Sequence, residues 1–187
     1  ASTRSPVVSG SRTETYAAVK LFVDNWRWQG VPFYLRSGKR MSSNCTEIAL
    51  ELREPPSLLF QDADGIVPDN WIVLRLRPDE TIEFDAVAKR PGLGLSTERI
   101  TLSTTGQAAS GAEYSAYEQL LLDIVAGDRS LFIRGDEAME AWRIVQPILD
   151  AWAADGAPAF YASGTDGPPS PPGFVDHDLD WRPVYKR

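Results

Sequence analysis

The sequence holds a single cysteine, Cys45, and a single histidine, His177. One cysteine excludes an internal disulfide and is compatible with a reducing cytosol. No run approaches the ~18 apolar residues of a membrane span. Positive charge is in deficit: 26 acidic residues against 19 basic ones give a net charge of -7. That balance argues against general nucleic-acid or anionic-membrane binding, so any bound phosphate must be met by a local basic cluster. No Walker sequence is present. Gly92-x-Gly94 lacks the third glycine of a dinucleotide fingerprint and the helix required after it. No charged-then-apolar leader precedes the first helix signal, so no secretory signal is expected. The start at Ala1 rather than Met leads us to expect a fragment or processed chain. At 187 residues the chain is expected to fold as one domain with a tail, burying roughly 70% of its unfolded surface.

What is there divides by period. Ser11 and Glu14 have capping-box spacing, and Val19, Phe22, Val23 and Trp26 repeat at helical intervals, which predicts a helix ending at Gln29-Gly30. Phe33–Arg36 is a short apolar run closed by Ser37-Gly38. In Thr46–Leu52, Ile48, Leu50 and Leu52 alternate with Glu47, Ala49 and Glu51, predicting a strand with its apolar face buried. Trp71–Arg77, Thr81–Val87 and Arg99–Ser103 are further strands, with Pro78-Asp79-Glu80 as a tight turn. Helical spacing returns in Tyr114–Val125, capped by Gly127, and after Asp136. There Ala138, Met139, Trp142, Val145 and Leu149 are expected inward, and Pro147 to kink or break the helix. The fold class read from this order is α+β, with one mainly antiparallel sheet and helices packed on one face.

Few residues are marked for chemistry. His177 lies in Asp176-His177-Asp178-Leu179-Asp180, which reads as a solvated polar tail. Trp181 stands where a calcium loop needs glycine, so no metal site is expected. Asn44-Cys45-Thr46 matches a glycosylation sequon, but nothing else points to secretion. Cys45 reads as a small apolar residue. Arg36-Ser37-Gly38-Lys39-Arg40 packs three cations around a glycine. It has the donors for a phosphate monoester, but on chemistry alone the reading as a solvated turn is preferred.

Those last residues also carry a resemblance. Ser11–Leu21, Asp24-Asn25-Trp26-Arg27-Trp28 and Gly30–Arg40 resemble the C-terminal domain of glucose-6-phosphate dehydrogenase. Arg75–Glu80, Lys89-Arg90-Pro91-Gly92, Ala116–Asp123 and Asp136–Arg143 fit the same family in the same order. The resemblance covers residues 11–168. It leaves 1–10 as a linker or truncated end and 169–187 as an irregular Pro-rich tail.

The resemblance implies a cytoplasmic enzyme that oxidises glucose 6-phosphate to the phosphogluconolactone with NADP, or sometimes NAD. It opens the oxidative pentose phosphate pathway. It also implies an N-terminal Rossmann domain, absent from this chain, that carries the dinucleotide glycines and the catalytic histidine. No catalytic residue is then expected here. Lys39 matches a family lysine that binds the sugar phosphate. Asn44 stands where the family usually places a second cation, and Arg77 where a substrate-side glutamine is expected. Some members hold a second, structural NADP. Arg36 and Arg75 match two of its positions, whereas Cys45, Asp85 and Ala49 replace basic residues, so that cofactor is not expected. A homodimer through the sheet is implied, with Trp71, Val73, Arg75 and Arg77 read as the outer face. Asn44 and Arg77 also leave room for a non-catalytic assembly or regulatory module.

Overall fold

The computed structural model describes residues 11, 13–53, 69–78, 80–105, 115–154, 158–175 and 181–182. Residues 1–10, Asp79 and the segment around His177 lie outside them. Six strands come first: β1 (Tyr16–Phe22), β2 (Pro32–Gly38), β3 (Thr46–Glu51), β4 (Trp71–Arg77), β5 (Thr81–Lys89) and β6 (Thr97–Thr105). Two helices follow, α1 (Ala116–Ala126) and α2 (Gly135–Ala154). Every strand pairing is antiparallel, as expected for the α+β class. The strands form two sheets rather than one, β1-β2 and β3-β4-β5-β6. The chain divides into two compact units, residues 1–43 with 124–187, and residues 44–123.

In the first unit, the predicted N-terminal helix is a strand. β1 pairs with β2 from Tyr16↔Gly38 to Phe22↔Pro32. Tyr-Ala-Ala-Val-Lys-Leu-Phe satisfies a period of two as well as a helical one, and pairing to β2 decides between them. The Ser11 hydroxyl accepts from Thr13 N at 3.3 Å, a local turn in place of a capping box. The hairpin loop is organised by Asn25, whose Oδ1 accepts from Arg27 N at 3.1 Å and Trp28 N at 2.9 Å. One hairpin face gathers aromatic rings: Tyr34 lies 6.1 Å from Phe174 and 6.4 Å from Trp181. Lys20 Nζ sits 5.2 Å from the centre of the Tyr34 ring.

The second unit holds the four-stranded meander, and its two faces invert the expected polarity. Glu47, Ala49, Trp71, Val73, Arg75, Thr81, Glu83 and Asp85 share one face through the cross-strand pairs Glu47↔Arg75, Ala49↔Val73, Val73↔Glu83, Arg75↔Thr81 and Trp71↔Asp85. This is the covered face: Val73 is 0% and Arg75 8% exposed. The apolar set is the open one, with Ile48, Leu76, Ile82 and Leu102 each at least half exposed. Trp71, Val73 and Arg75 therefore do not form an outer face. Their charges are neutralised in place. The Arg75 guanidinium binds both Glu83 oxygens, at 2.8 and 3.2 Å, and lies 3.8 Å from Glu47. The Thr101 hydroxyl donates to Asp85 at 2.6 Å. Complementary pairs make a charged face buriable, which alternation alone does not reveal.

The helices have the expected cores with shifted ends. α1 opens on a capping box in which Ser115 N donates to the Glu118 carboxylate at 2.6 Å and Glu118 N to Ser115 Oγ at 3.4 Å. The Ser115 N–H, and after it the Ser115 hydroxyl, hold the Glu118 carboxyl below its ordinary pKa. Gly127, at φ 74°, follows the last turn. α2 runs unbroken across Pro147. Its first turn is anchored by Arg134 N donating to Glu137 at 3.0 Å, and a 20-residue helix tolerates one missing ladder bond. Met139 and Trp142, expected inward, are 69% and 62% exposed. The apolar stripe of α2 is real, but the described residues do not cover it.

Candidate functional site

Lys39 lies where β2 ends. Its backbone N donates to Thr15 O at 2.8 Å, one residue beyond the last strand pair. Gly38 is required by space: a Cβ there would stand 2.7 Å from Met41 Sδ and 2.9 Å from the Tyr16 ring. Arg40 follows at φ 53°, in the left-handed region, so the chain reverses sharply. The side chains of Lys39 and Arg40 both reach solvent. Burial raises the pKa of the Tyr16 phenol beneath this turn, against the opposing pull of Arg36.

Residues 161–166 grip the same turn. The Tyr161 hydroxyl lies 2.6 Å from Lys39 O and 3.0 Å from Thr15 O. Gly164 N donates to Arg40 O at 2.8 Å and Ser42 N to Thr165 O at 2.9 Å. The Ser42 hydroxyl donates to the Asp166 carboxylate. Tyr161 and Tyr16 meet edge to face at 5.6 Å. Gly167, at φ 103°, leaves room for the Tyr16 ring, where any side chain would collide. The sequence signal for this grip was the Gly164-x-x-Gly167-Pro168 run. Sequence reasoning missed its partners because they stand more than a hundred residues from the turn.

The cationic cluster is not one unit. Arg36 turns away from solvent: its guanidinium stacks 4.9 Å from the centre of the Trp181 ring and donates to Arg182 O at 3.2 Å. Lys39 and Arg40 remain as the exposed cations of that motif. Asn44 and Arg77 belong to the other unit, at one end of the meander. Asn44 sits two residues before β3, and Thr46 pairs with Arg77. Both side chains are exposed. Gly92-x-Gly94 lies in the β5–β6 connection, where Lys89 Nζ donates to Gly92 O at 2.6 Å, and a strand follows instead of a helix.

A second, structural dinucleotide does not fit the residues of the meander. Arg75 is committed to Glu83 and Glu47, and the bond to Glu83 holds its guanidinium more firmly protonated than usual. Asp85 presents a carboxylate where an anionic ligand would need a cation, and Ala49 and Cys45 supply none. Among the described residues, no group of three or more His, Cys, Asp or Glu side chains could hold a metal ion. No helix among them is long and apolar enough to cross a membrane.

Comparison with known proteins places this geometry in a family. The family model for the glucose-6-phosphate dehydrogenase C-terminal domain matches residues 2–182. Glucose-6-phosphate 1-dehydrogenase of Dickeya dadantii is 41% identical over 180 residues, covering 93% of this chain and 37% of that protein. The Mycolicibacterium smegmatis enzyme is 42% identical over 90% of this chain and 34% of its own length. The crystal structure of the Mycobacterium avium enzyme superposes with a TM-score of 0.78 at 34% identity, covering 97% of this chain and 38% of that one. A glucose-6-phosphate dehydrogenase solved in complex with its substrate glucose 6-phosphate superposes at 0.72 with 31% identity, over 95% of this chain and 37% of that one. This chain thus spans under two-fifths of these relatives, and it belongs to the glucose-6-phosphate dehydrogenase C-terminal domain family.

Proposed function

We propose that this chain is the substrate-contacting and subunit-joining part of a cytoplasmic enzyme that oxidises glucose 6-phosphate to the 6-phosphoglucono-1,5-lactone with NADP. In that reaction a hydride leaves C1 of the sugar for the nicotinamide and the C1 hydroxyl gives up its proton. This chain contributes neither the dinucleotide fingerprint nor the base. Its part is to bind the substrate. The observation that carries the reading is Lys39, an exposed ammonium on a turn fixed from both sides. Such a group offers three donors and a full charge to a phosphate monoester. Asn44, a neutral amide, and Arg77, a guanidinium, are the other substrate-side candidates that the family resemblance marks.

The full-length protein should reduce NADP when given glucose 6-phosphate, and residues 1–187 alone should show no turnover with any nicotinamide cofactor. Turnover by the short chain would overturn the division of labour. The departures at Asn44 and Arg77 favour a second reading, a non-catalytic assembly module. Under that reading the full-length protein binds the sugar phosphate weakly or not at all and reduces no cofactor.

Subunit joining is assigned to the apolar face of the meander. Ile82 and Leu102, 53% and 62% exposed, lie on adjacent strands with Ile48 and Leu76. A two-fold contact repeats one self-complementary patch, and obligate interfaces commonly exceed ~2,000 Å². Ile82→Lys together with Leu102→Lys should convert a micromolar dimer to monomer in multi-angle light scattering. An unaltered dimer in that variant would place the contact elsewhere.

A further inference from the structure

The bonds around Lys39 identify a residue that works through it. β1 and β2 hold each other only as far as Tyr16↔Gly38. Beyond that pair only the Lys39 N bond to Thr15 O continues the hairpin, and Arg40 and Ser42 have no strand partner. An ammonium on a four-carbon stem places its charge usefully only if its own backbone is held, because loose backbone adds freedom that binding must remove. Residues 161–166 supply the hold: each of Lys39, Arg40 and Ser42 has a backbone bond into this segment.

We infer that Tyr161 is a positioning residue for Lys39, its hydroxyl fixing the carbonyl from which the sugar-phosphate lysine projects. A phenol has one proton to give. Two carbonyls converge on it, with Lys39 O the nearer at 2.6 Å and Thr15 O at 3.0 Å. Thr15 O also accepts from Lys39 N at 2.8 Å, so the hydroxyl closes a ring joining Tyr161, Thr15 and Lys39. The phenyl ring has its own anchor, the edge-to-face contact with Tyr16 at 5.6 Å. Loss of the hydroxyl alone therefore leaves the ring seated and the other backbone bonds of the turn in place, and releases only the Lys39 carbonyl. The Ser42–Asp166 bond acts at the far end of the same turn in the same way. This inference rests on the reading of Lys39 as the phosphate contact.

The test is a double-mutant cycle in the full-length enzyme, with Tyr161→Phe, Lys39→Ala and the two combined. Tyr161→Phe should raise the half-saturating glucose 6-phosphate concentration about threefold to tenfold, the equivalent of one hydrogen bond. Turnover at saturation and the half-saturating cofactor concentration should stay unchanged. A purely structural role would not separate these quantities. In the Lys39→Ala background, Tyr161→Phe should add nothing. Ser42→Ala, which keeps every backbone bond of the turn, should give a smaller rise of about twofold to threefold and serves if the Phe variant folds poorly. Two results overturn the inference while leaving Lys39 in the site: Lys39→Ala weakens sugar-phosphate binding but neither Tyr161→Phe nor Ser42→Ala does, or the Tyr161→Phe effect persists in full over Lys39→Ala. A Lys39→Ala enzyme with native substrate binding overturns both this inference and the reading beneath it.

Discussion

Replacing Lys39 by Ala in the full-length enzyme is expected to raise the half-saturating glucose 6-phosphate concentration by about one to two decades. A hydrogen bond to a charged group contributes about 1.5–3 kcal/mol, and each ~1.4 kcal/mol is a factor of ten. The fold should be indifferent to the change. Lys39 is exposed, and its backbone bonds to Thr15 and Tyr161 do not involve the side chain. Lys39→Arg keeps the charge but exchanges a compact ammonium for a broad planar fork, so it should restore only part of the affinity. Steady-state kinetics with the sugar phosphate varied at fixed cofactor reads both variants. Wild-type values for Lys39→Ala would remove this residue from the site.

The second large effect is on stability. Arg75→Met should destabilise the protein by about 3–5 kcal/mol, because it strands Glu83 and Glu47 on a covered face without their cation. Met matches much of the volume, so the loss reports charge rather than a cavity. The triple variant Glu47→Leu, Arg75→Met, Glu83→Leu should recover most of that stability, since a buried ion network is commonly replaceable by packed apolar side chains. Denaturant unfolding followed by circular dichroism measures all three. A midpoint for Arg75→Met indistinguishable from wild type would show that the face is wetter than its 8% exposure at Arg75 implies.

The four strands of the meander were legible, β4 to the residue and the others with shifted ends. Trp71–Arg77 ends at Pro78 as read, whereas β5 runs on to Lys89 and β6 spans Thr97–Thr105, each beyond the segment that the sequence marked. What alternation could not give was which face is covered. Burial of Arg75 depends on Glu83 and Glu47 arriving from neighbouring strands, a property of register rather than of any one segment. The N-terminal strand was misread because Tyr16–Phe22 fits two periods, and only its pairing with β2 separates them. In α2 the apolar stripe was legible, but its exposure was not, because an amphipathic pattern marks a face that needs cover without supplying it. Around Lys39, Gly38 and the neighbouring cations were visible in five consecutive residues. The withdrawal of Arg36 onto Trp181, and the grip of Tyr161, Gly164 and Thr165, come from more than a hundred residues away and left only two glycines as a trace.

The central claim is that the turn after β2 presents Lys39 to the phosphate of the sugar. A crystal structure of the full-length protein with glucose 6-phosphate bound tests it most directly. The account predicts Lys39 Nζ about 2.7–2.9 Å from a phosphate oxygen, with the Tyr161 hydroxyl still on Lys39 O. A bound sugar phosphate held wholly by other side chains, with the Lys39 ammonium in solvent, would contradict it.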